Sequence, residues 1–260
     1  MKRIIVKVIV LSLVIGLASI SSVYAQQSNF QVSPPPIASP EFEAGQTELK
    51  LSGTYVGMSG EGMDFTGLGV NFISRNAISD TTAFDFSVGF FTLGGSMEFG
   101  DFDGDMFMIM FPMSVNGEYQ AMKTPTLSLI LFGGPTLSFG FNSLYYEYEV
   151  TTWGTTYTDS ELLVTTTIMY GVQGGAQLGA TMGSFKFSPF AMMQSLQGSS
   201  TTSNGTSTSA DIPAFTLISY GLDIVYVPWD ITLSSILQKA SESEDNEAID
   251  TTIIQLSWNF

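Results

Sequence analysis

The chain has 260 residues, of which 44% are hydrophobic and only 12% are charged. Soluble globular domains carry about 25% charged residues, so this composition indicates a protein with much of its surface outside water. The 24 acidic residues outnumber the 8 basic ones and give a formal net charge of −16, which excludes nucleic-acid binding through a basic patch. The chain contains no cysteine, which excludes a disulfide framework.

The first 25 residues have the pattern of a secretory signal peptide. Lys2, Arg3 and Lys7 precede an apolar run at 8–20, and small residues lead up to a cleavage position after Ala25. The apolar run is too short to be a spanning helix. Cleavage would remove three of the eight basic residues and none of the acidic ones. The sequence therefore predicts export and a strongly acidic mature chain.

Residues 26–45 are predicted to form a proline-rich periplasmic linker. They contain Pro34, Pro35, Pro36 and Pro40 and show no helical or strand periodicity. A structured plug is the alternative. It is disfavoured because few apolar residues are available to pack.

Residues 46–260 are predicted to form one domain of alternating strands. Apolar and polar residues alternate with period 2, which is typical of strands with one apolar face. The stripes average close to the ~9–11 residues that a tilted membrane-spanning strand needs. Ten stripes occur, at 49–55, 68–72, 84–90, 107–119, 127–139, 168–178, 185–195, 218–226, 231–237 and 252–260.

The connections between these stripes alternate in length. Short, turn-like connections occur at 74–80, 120–126, 182–184 and 228–230. Longer polar connections occur at 94–105, 142–161, 198–212 and 240–250, and the one near 57–62 is short. Short turns on one side and long loops on the other are typical of transmembrane β-barrels. A soluble β-sandwich would also give alternating strands, but it does not explain the alternation of loop lengths.

The last strand carries Ile254, Leu256, Trp258 and Phe260 on one face. This pattern resembles the closing strand of outer-membrane β-barrels. Together with Tyr220-Gly221-Leu222-Asp223 and the run 225–228, it makes the chain similar to the small outer-membrane barrel family that includes OmpA-like and OmpX-like barrels. The resemblance covers residues 47–260.

The resemblance implies an all-β fold, a closed antiparallel up-and-down transmembrane barrel of about ten strands. Eight strands, the commonest number in this family, or twelve are the alternatives. It further implies residence in the outer membrane, contact with its lipid, contact with the barrel-insertion machinery during biogenesis, and a monomeric state. It specifies an architecture and no activity.

Five charged residues are predicted to face the barrel lumen. They are Lys50, Asp85, Glu118, Lys186 and Asp223. Because buried carboxylates without partners are costly, the two lysines are expected to lie close to the three acids. Catalysis by these acids is disfavoured because the chain has no histidine, the side chain best suited to proton transfer near neutral pH. The chain is therefore expected not to be an enzyme and to need no cofactor.

One acidic cluster leaves a divalent cation site open. Asp101, Asp103 and Asp105 alternate around Gly104 and could converge on a hard cation such as Ca²⁺. The cluster lacks the remaining positions of a calcium loop. The alternative is a solvated hairpin tip, since Asp and Gly favour turns.

Three functions are compatible with the predicted barrel. The first is a structural barrel that presents surface loops, the second a small cation-preferring pore, and the third an adhesin acting through acidic outer loops. Inward glycines, including Gly69, Gly89, Gly134, Gly171, Gly175 and Gly179, would leave space for a pore. Ile130, Phe132 and Met169 also point inward and could block it. We rank the structural barrel first.

Overall fold

The computed structural model describes residues 39–60, 63–99, 102–152, 155–203, 207–241 and 250–260. The predicted signal peptide and the linker up to residue 38 lie outside this description. Within the described ranges, no helix combines the length and the apolar character needed to cross a bilayer.

The described chain is built almost wholly of ten strands and one short 3-10 turn at Val227–Trp229. The strands are β1 Thr47–Gly60, β2 Met63–Ala77, β3 Thr82–Phe99, β4 Phe102–Lys123, β5 Leu127–Thr152, β6 Thr155–Met182, β7 Phe185–Ser203, β8 Ser207–Tyr226, β9 Ile231–Ser241 and β10 Asp250–Asn259.

The ten strands form a closed barrel in which every strand is antiparallel to its two neighbours. Consecutive strands pair in chain order, and β1 pairs with β10 to close the ring. At this seam the amide of Phe260 donates to the carbonyl of Leu49 at 2.8 Å. The predicted fold, a closed up-and-down barrel of ten strands, is confirmed.

The two faces of the barrel wall are opposite in character to those of a soluble protein. On β1, Leu49 and Leu51 face outward and are 37% and 43% exposed, whereas Lys50 and Ser52 face inward and are buried. The outward rows of the other strands are likewise apolar and include Leu68, Phe86, Phe107, Leu131, Val172, Met193, Ile218 and Leu237. Exposed apolar rows around a whole barrel fit an environment of lipid.

The barrel has two different ends. The turn end carries the short connections at 78–81, 124–126, 183–184 and 227–230, whereas the hairpin end carries the connections between β1 and β2, β3 and β4, β5 and β6, β7 and β8, and β9 and β10. Several strands are much longer toward the hairpin end than a spanning strand needs. β5 has 26 residues and β6 has 28, against the ~9–11 of a tilted spanning strand.

Most of the polar connections that were predicted as loops are therefore strand. Residues 142–152 and 155–161 belong to β5 and β6, and the β7–β8 pair continues to Ser203 and Ser207. The physical reason is that Thr, Ser, Tyr and Val in these segments support extended backbone, and a hairpin in water needs no apolar face toward a core. The prediction of long loops at 94–105, 142–161 and 198–212 is wrong in this respect.

Candidate functional site: the barrel interior

Residues 39–46, which we name the plug segment, lie in the mouth of the barrel at the turn end and line a cavity of about 710 Å³ there. Phe42 is 1% exposed and packs against Ala77, Ala83 and Ile130 on the barrel wall. Part of the predicted linker therefore enters the barrel instead of extending away from it. The side chain of Phe42 supplies the apolar part of this attachment, because the inner wall offers the apolar contacts that the segment itself lacks.

Hydrogen bonds hold the plug segment against two strands. The amide of Phe42 donates to Oε1 of Gln120 at 3.1 Å, and Nζ of Lys123 donates to the carbonyl of Phe42 at 2.9 Å. The amide of Gly45 donates to the carbonyl of Ala77 at 3.0 Å. Gly45 has φ 76°, a conformation that favours glycine, and this turn leads the chain from the plug segment into β1.

Arg75 on β2 is the centre of the plug's attachment. Its guanidinium forms ion pairs with Glu48 at 3.0 Å and with Glu118 at 2.8 Å. It also donates to the carbonyl of Ser39 at 2.7 Å and lies over the ring of Phe42, 5.2 Å from the centroid. Both acids are nearly inaccessible to water, so the single cation compensates two buried carboxylates and fixes the plug segment at the same time.

A second zone, which we name the polar layer, follows the plug segment along the strands. Lys50 and Asp223 pair at 3.9 Å, and Nδ2 of Asn116 donates to Asp85 at 2.9 Å. A chain of amides continues across the interior from Asn116, through Gln173 at 2.9 Å, to Gln194 at 2.8 Å. Shared hydrogen bonds of this kind satisfy polar groups that the barrel wall removes from bulk water.

A third zone, which we name the apolar layer, lies toward the hairpin end. Its members are all inward-facing, are between 0% and 6% exposed, and touch one another as one cluster. They are Val56, Met58, Phe65, Phe91, Leu93, Met108, Met110, Met169, Phe190, Leu196, Phe215, Leu217, Ile236, Ala240 and Ile253. The lumen at this level is a packed core.

The same order of zones along several strands shows that these are layers across the lumen. On β1, Glu48 contacts the plug's partner Arg75, Lys50 lies in the polar layer, and Val56 lies in the apolar layer. On β4 the corresponding order is Glu118, then Asn116, then Met110. On these two strands the polar positions therefore lie between the contacts of the plug segment and the apolar layer.

At three inward glycines, an aromatic ring from a nearby residue fills the space that a side chain would take. A Cβ on Gly69 or Gly89 would overlap the ring of Phe91, and one on Gly175 would overlap Phe132. The sequence suggested that these glycines leave room for a pore. In the structure, that room accommodates large inward side chains instead.

The five predicted lumen charges are placed by the structure as follows. Lys50 and Asp223 lie together, whereas Asp85 contacts the amide of Asn116. Glu118 pairs with Arg75. Lys186 pairs with Glu41 of the plug segment, so it contacts none of the three predicted acids in any ion pair of the described residues.

Sequence reasoning missed Arg75 and Glu48. Both could have been found from the same alternation. Arg75 comes four residues after the inward Asn71 and Glu48 two residues before Lys50, and even spacings along a strand put side chains on the same face. The role of Glu41 and Phe42 carried no such signal, because the segment around them has no periodicity.

The candidate divalent cation site lies largely outside the described residues. No group of three or more acidic, His or Cys side chains within the described ranges could hold a metal ion. Asp101 and the side chain of Asp103 lie outside what the structure describes, and Asp105 is exposed.

Comparison with solved structures finds outer-membrane proteins that share this barrel fold. The outer membrane protease OmpT of Escherichia coli aligns with a TM-score of 0.59 at 8% identity, covering 85% of this chain and all of OmpT. The chain has the fold of an outer-membrane β-barrel. The outer membrane protein OprG of Pseudomonas aeruginosa aligns with a TM-score of 0.42 at 9% identity, covering 85% of this chain and 98% of OprG. Ail, the attachment invasion locus protein of Yersinia pestis, aligns with a TM-score of 0.34 at 10% identity, covering 84% of this chain and 99% of Ail.

No protein-family model matches the chain, and no curated protein matches it. The barrel architecture of the predicted family is therefore supported, but the narrower OmpA-like or OmpX-like assignment is not. One prediction is corrected by the comparison. The expectation that the chain is not an enzyme is contradicted, because OmpT has this fold and is a protease. At 8% identity the likeness shows the fold alone, and it assigns no activity to this chain.

Proposed function

We propose that this protein is a closed barrel of the bacterial outer membrane that displays long β-hairpins at the cell surface. The observation that carries the proposal is the packing of the lumen by the plug segment and the apolar layer. A conducting pore needs a continuous aqueous path, and the packed apolar layer, together with the plug segment in the mouth, opposes one. The proposal includes export through residues 1–25, help from the insertion machinery, and a monomeric state.

The length of the hairpins supports surface display. At ~3.3 Å per residue, β5 and β6 extend well beyond an apolar band ~25 Å tall even when strongly tilted. The β7–β8 hairpin shows the composition expected of a segment in water. It is rich in serine and threonine, including Ser199, Thr201 and Ser209, and the hydroxyls of Thr201 and Ser209 share a hydrogen bond of 3.0 Å.

Conductance in a planar bilayer tests the closed lumen. The purified wild-type protein is expected to give no current steps. Channel steps that prefer K⁺ over Cl⁻ would overturn the proposal and favour the small cation-preferring pore. A variant that lacks residues 39–45 and carries Phe91→Ser, Met110→Ser and Phe190→Ser opens both closed levels, so it is expected to conduct once folding has been verified. If that variant folds and stays silent, these layers are not what closes the barrel.

Labelling of intact cells tests surface display. The natural chain has no cysteine, so a single introduced thiol reports its own location. Ser209→Cys lies on the β7–β8 hairpin and is expected to react with a membrane-impermeant maleimide. Thr126→Cys, exposed at the turn end, is the matched control and should react only after the cells are opened. The reverse pattern would overturn the proposed orientation.

A further inference from the structure

A groove on the outward surface of the barrel at its turn end differs from the surrounding apolar wall. It is a concavity of about 450 Å³, lined by residues that include Phe185, Ile224, Tyr226, Trp229, Leu233 and Leu256. Every lining side chain is aliphatic or aromatic. Its volume lies within the range of ~300–1,000 Å³ that is typical of small-molecule sites.

The groove is framed by a fixed aromatic wall. The 3-10 turn Val227–Trp229 turns the chain so that the ring of Trp229 stands edge-on against Tyr226, with centroids 5.2 Å apart and planes at 90°. Tyr226 in turn contacts Phe185 at 5.2 Å. The turn ends at Asp230 in a left-handed conformation with φ 51°.

The floor of the groove is formed by residues of the last two strands. Leu256 is 2% exposed and Ile231 is 7% exposed, although both belong to rows near the outward surface. These side chains are already shielded from solvent by their neighbours, so the floor is closed.

We propose that this groove binds one acyl chain of a phospholipid from the periplasmic leaflet. The groove is continuous with the apolar outward rows that face lipid, and the turn end is the periplasmic end of the proposed orientation. Trp and Tyr prefer the membrane–water interface, and Trp229 and Tyr226 stand at that level. Because no charged side chain lines the groove, the binding energy comes from the chain and not from the head group.

Native mass spectrometry tests this proposal. The protein is reconstituted with palmitoyl-oleoyl phosphatidylethanolamine, extracted in a mild detergent, and weighed intact. One phospholipid is expected to remain on most wild-type molecules. Leu233→Trp fills the groove and should reduce the retained fraction at least severalfold. Leu237→Trp, on the same strand but outside the groove, is the matched control and should retain lipid like wild type.

Three outcomes would overturn the proposal. They are equal retention by the two tryptophan variants, an absence of retained lipid on the wild type, and a dimer mass that disappears with Leu233→Trp. If Leu233→Trp does not fold, fluorescence provides a second measurement. In a W153F/W258F variant, brominated acyl chains should quench Trp229 more strongly than they quench a tryptophan at position 127, which is exposed at the same end of the barrel but outside the groove, in a W153F/W229F/W258F background. Equal quenching would also count against the groove. Neither measurement depends on whether the lumen conducts.

Discussion

The guanidinium of Arg75 lies over the ring of Phe42, with its central carbon 5.2 Å from the ring centroid. The two residues belong to different parts of the molecule, since Phe42 is in the plug segment and Arg75 is on β2. Cation–π contacts of this kind strengthen when they are removed from water. Together with its ion pairs to Glu48 and Glu118, Arg75 therefore couples the plug segment to the barrel wall.

Replacing Arg75 with methionine should strongly destabilise the folded barrel. The substitution leaves Glu48 and Glu118 buried without their cation, and breaking a buried pair in this way costs about 3–5 kcal/mol. Urea unfolding followed by tryptophan fluorescence measures the loss. Lys123→Met is the control, because it removes only a partly exposed hydrogen bond to the carbonyl of Phe42, which keeps its bond from Gln120, and an ion pair with the largely exposed Glu43 that contributes about 1 kcal/mol or less. Equal unfolding midpoints would contradict this account of Arg75.

Replacing Phe42 with alanine should loosen the plug segment while the barrel stays folded. A buried Phe→Ala change costs about 3–5 kcal/mol of packing. If the substitution destabilises the docked plug segment by only about 1.4 kcal/mol, the fraction of molecules with a detached plug segment rises tenfold.

A thiol at position 128 reports this opening, because Ser128 is buried and lies close to Pro40 beneath the plug segment. In the Ser128→Cys protein, Phe42→Ala should increase the maleimide reaction rate at least about tenfold, following the same conversion. A thiol at Ser138, deeper on β5, should stay unreactive in both backgrounds. An unchanged rate at position 128 would show that Phe42 does not hold the plug in place.

A charge at Leu256 should impair assembly more than one at Phe260. Leu256 is buried at the β9–β10 junction, whereas Phe260 is 77% exposed at the rim. An arginine costs about 2–4 kcal/mol at the membrane midplane and about 0–1 kcal/mol near the interface. The folded fraction of Leu256→Arg and Phe260→Arg can be read from heat-modifiable migration on gels. A greater loss with Phe260→Arg would mean that the terminal aromatic residue itself dominates assembly.

Gly134 on β5 should not tolerate alanine. A Cβ at this position would collide with the backbone carbonyl of Val115 on the neighbouring strand, which cannot move without disturbing the ladder. We expect a destabilisation of about 1–3 kcal/mol, as for other overpacked sites. Gly53→Ala is the matched control, since nothing lies within 4 Å of its added Cβ. Similar thermal midpoints for the two variants would contradict the close approach of β4 and β5.

The period-2 pattern was sufficient to predict the ten strands, their order and the facing of residues such as Lys50 and Leu51. It could not predict the plug segment, because the burial of Phe42 depends on a contact with Ala77 and Ile130 that leaves no local pattern. It also could not reveal that Gly69 receives the ring of Phe91, since that pairing depends on the register between β2 and β3. The pattern does not predict the polar hairpins as strands, because strands that are polar on both faces lack the alternation.

The seam between β1 and β10 joins the two strands that are farthest apart in the sequence. Until β10 is in place, β1 presents a row of unpaired amides and carbonyls, and a hydrocarbon environment cannot satisfy them. Every partial barrel therefore has two open edges, and the free energy of ring closure is gained only when the last strand pairs. Folding of this chain in a membrane is consequently expected to be all-or-none. Its slow step is the long-range closure of the ring, which local strand formation cannot accelerate.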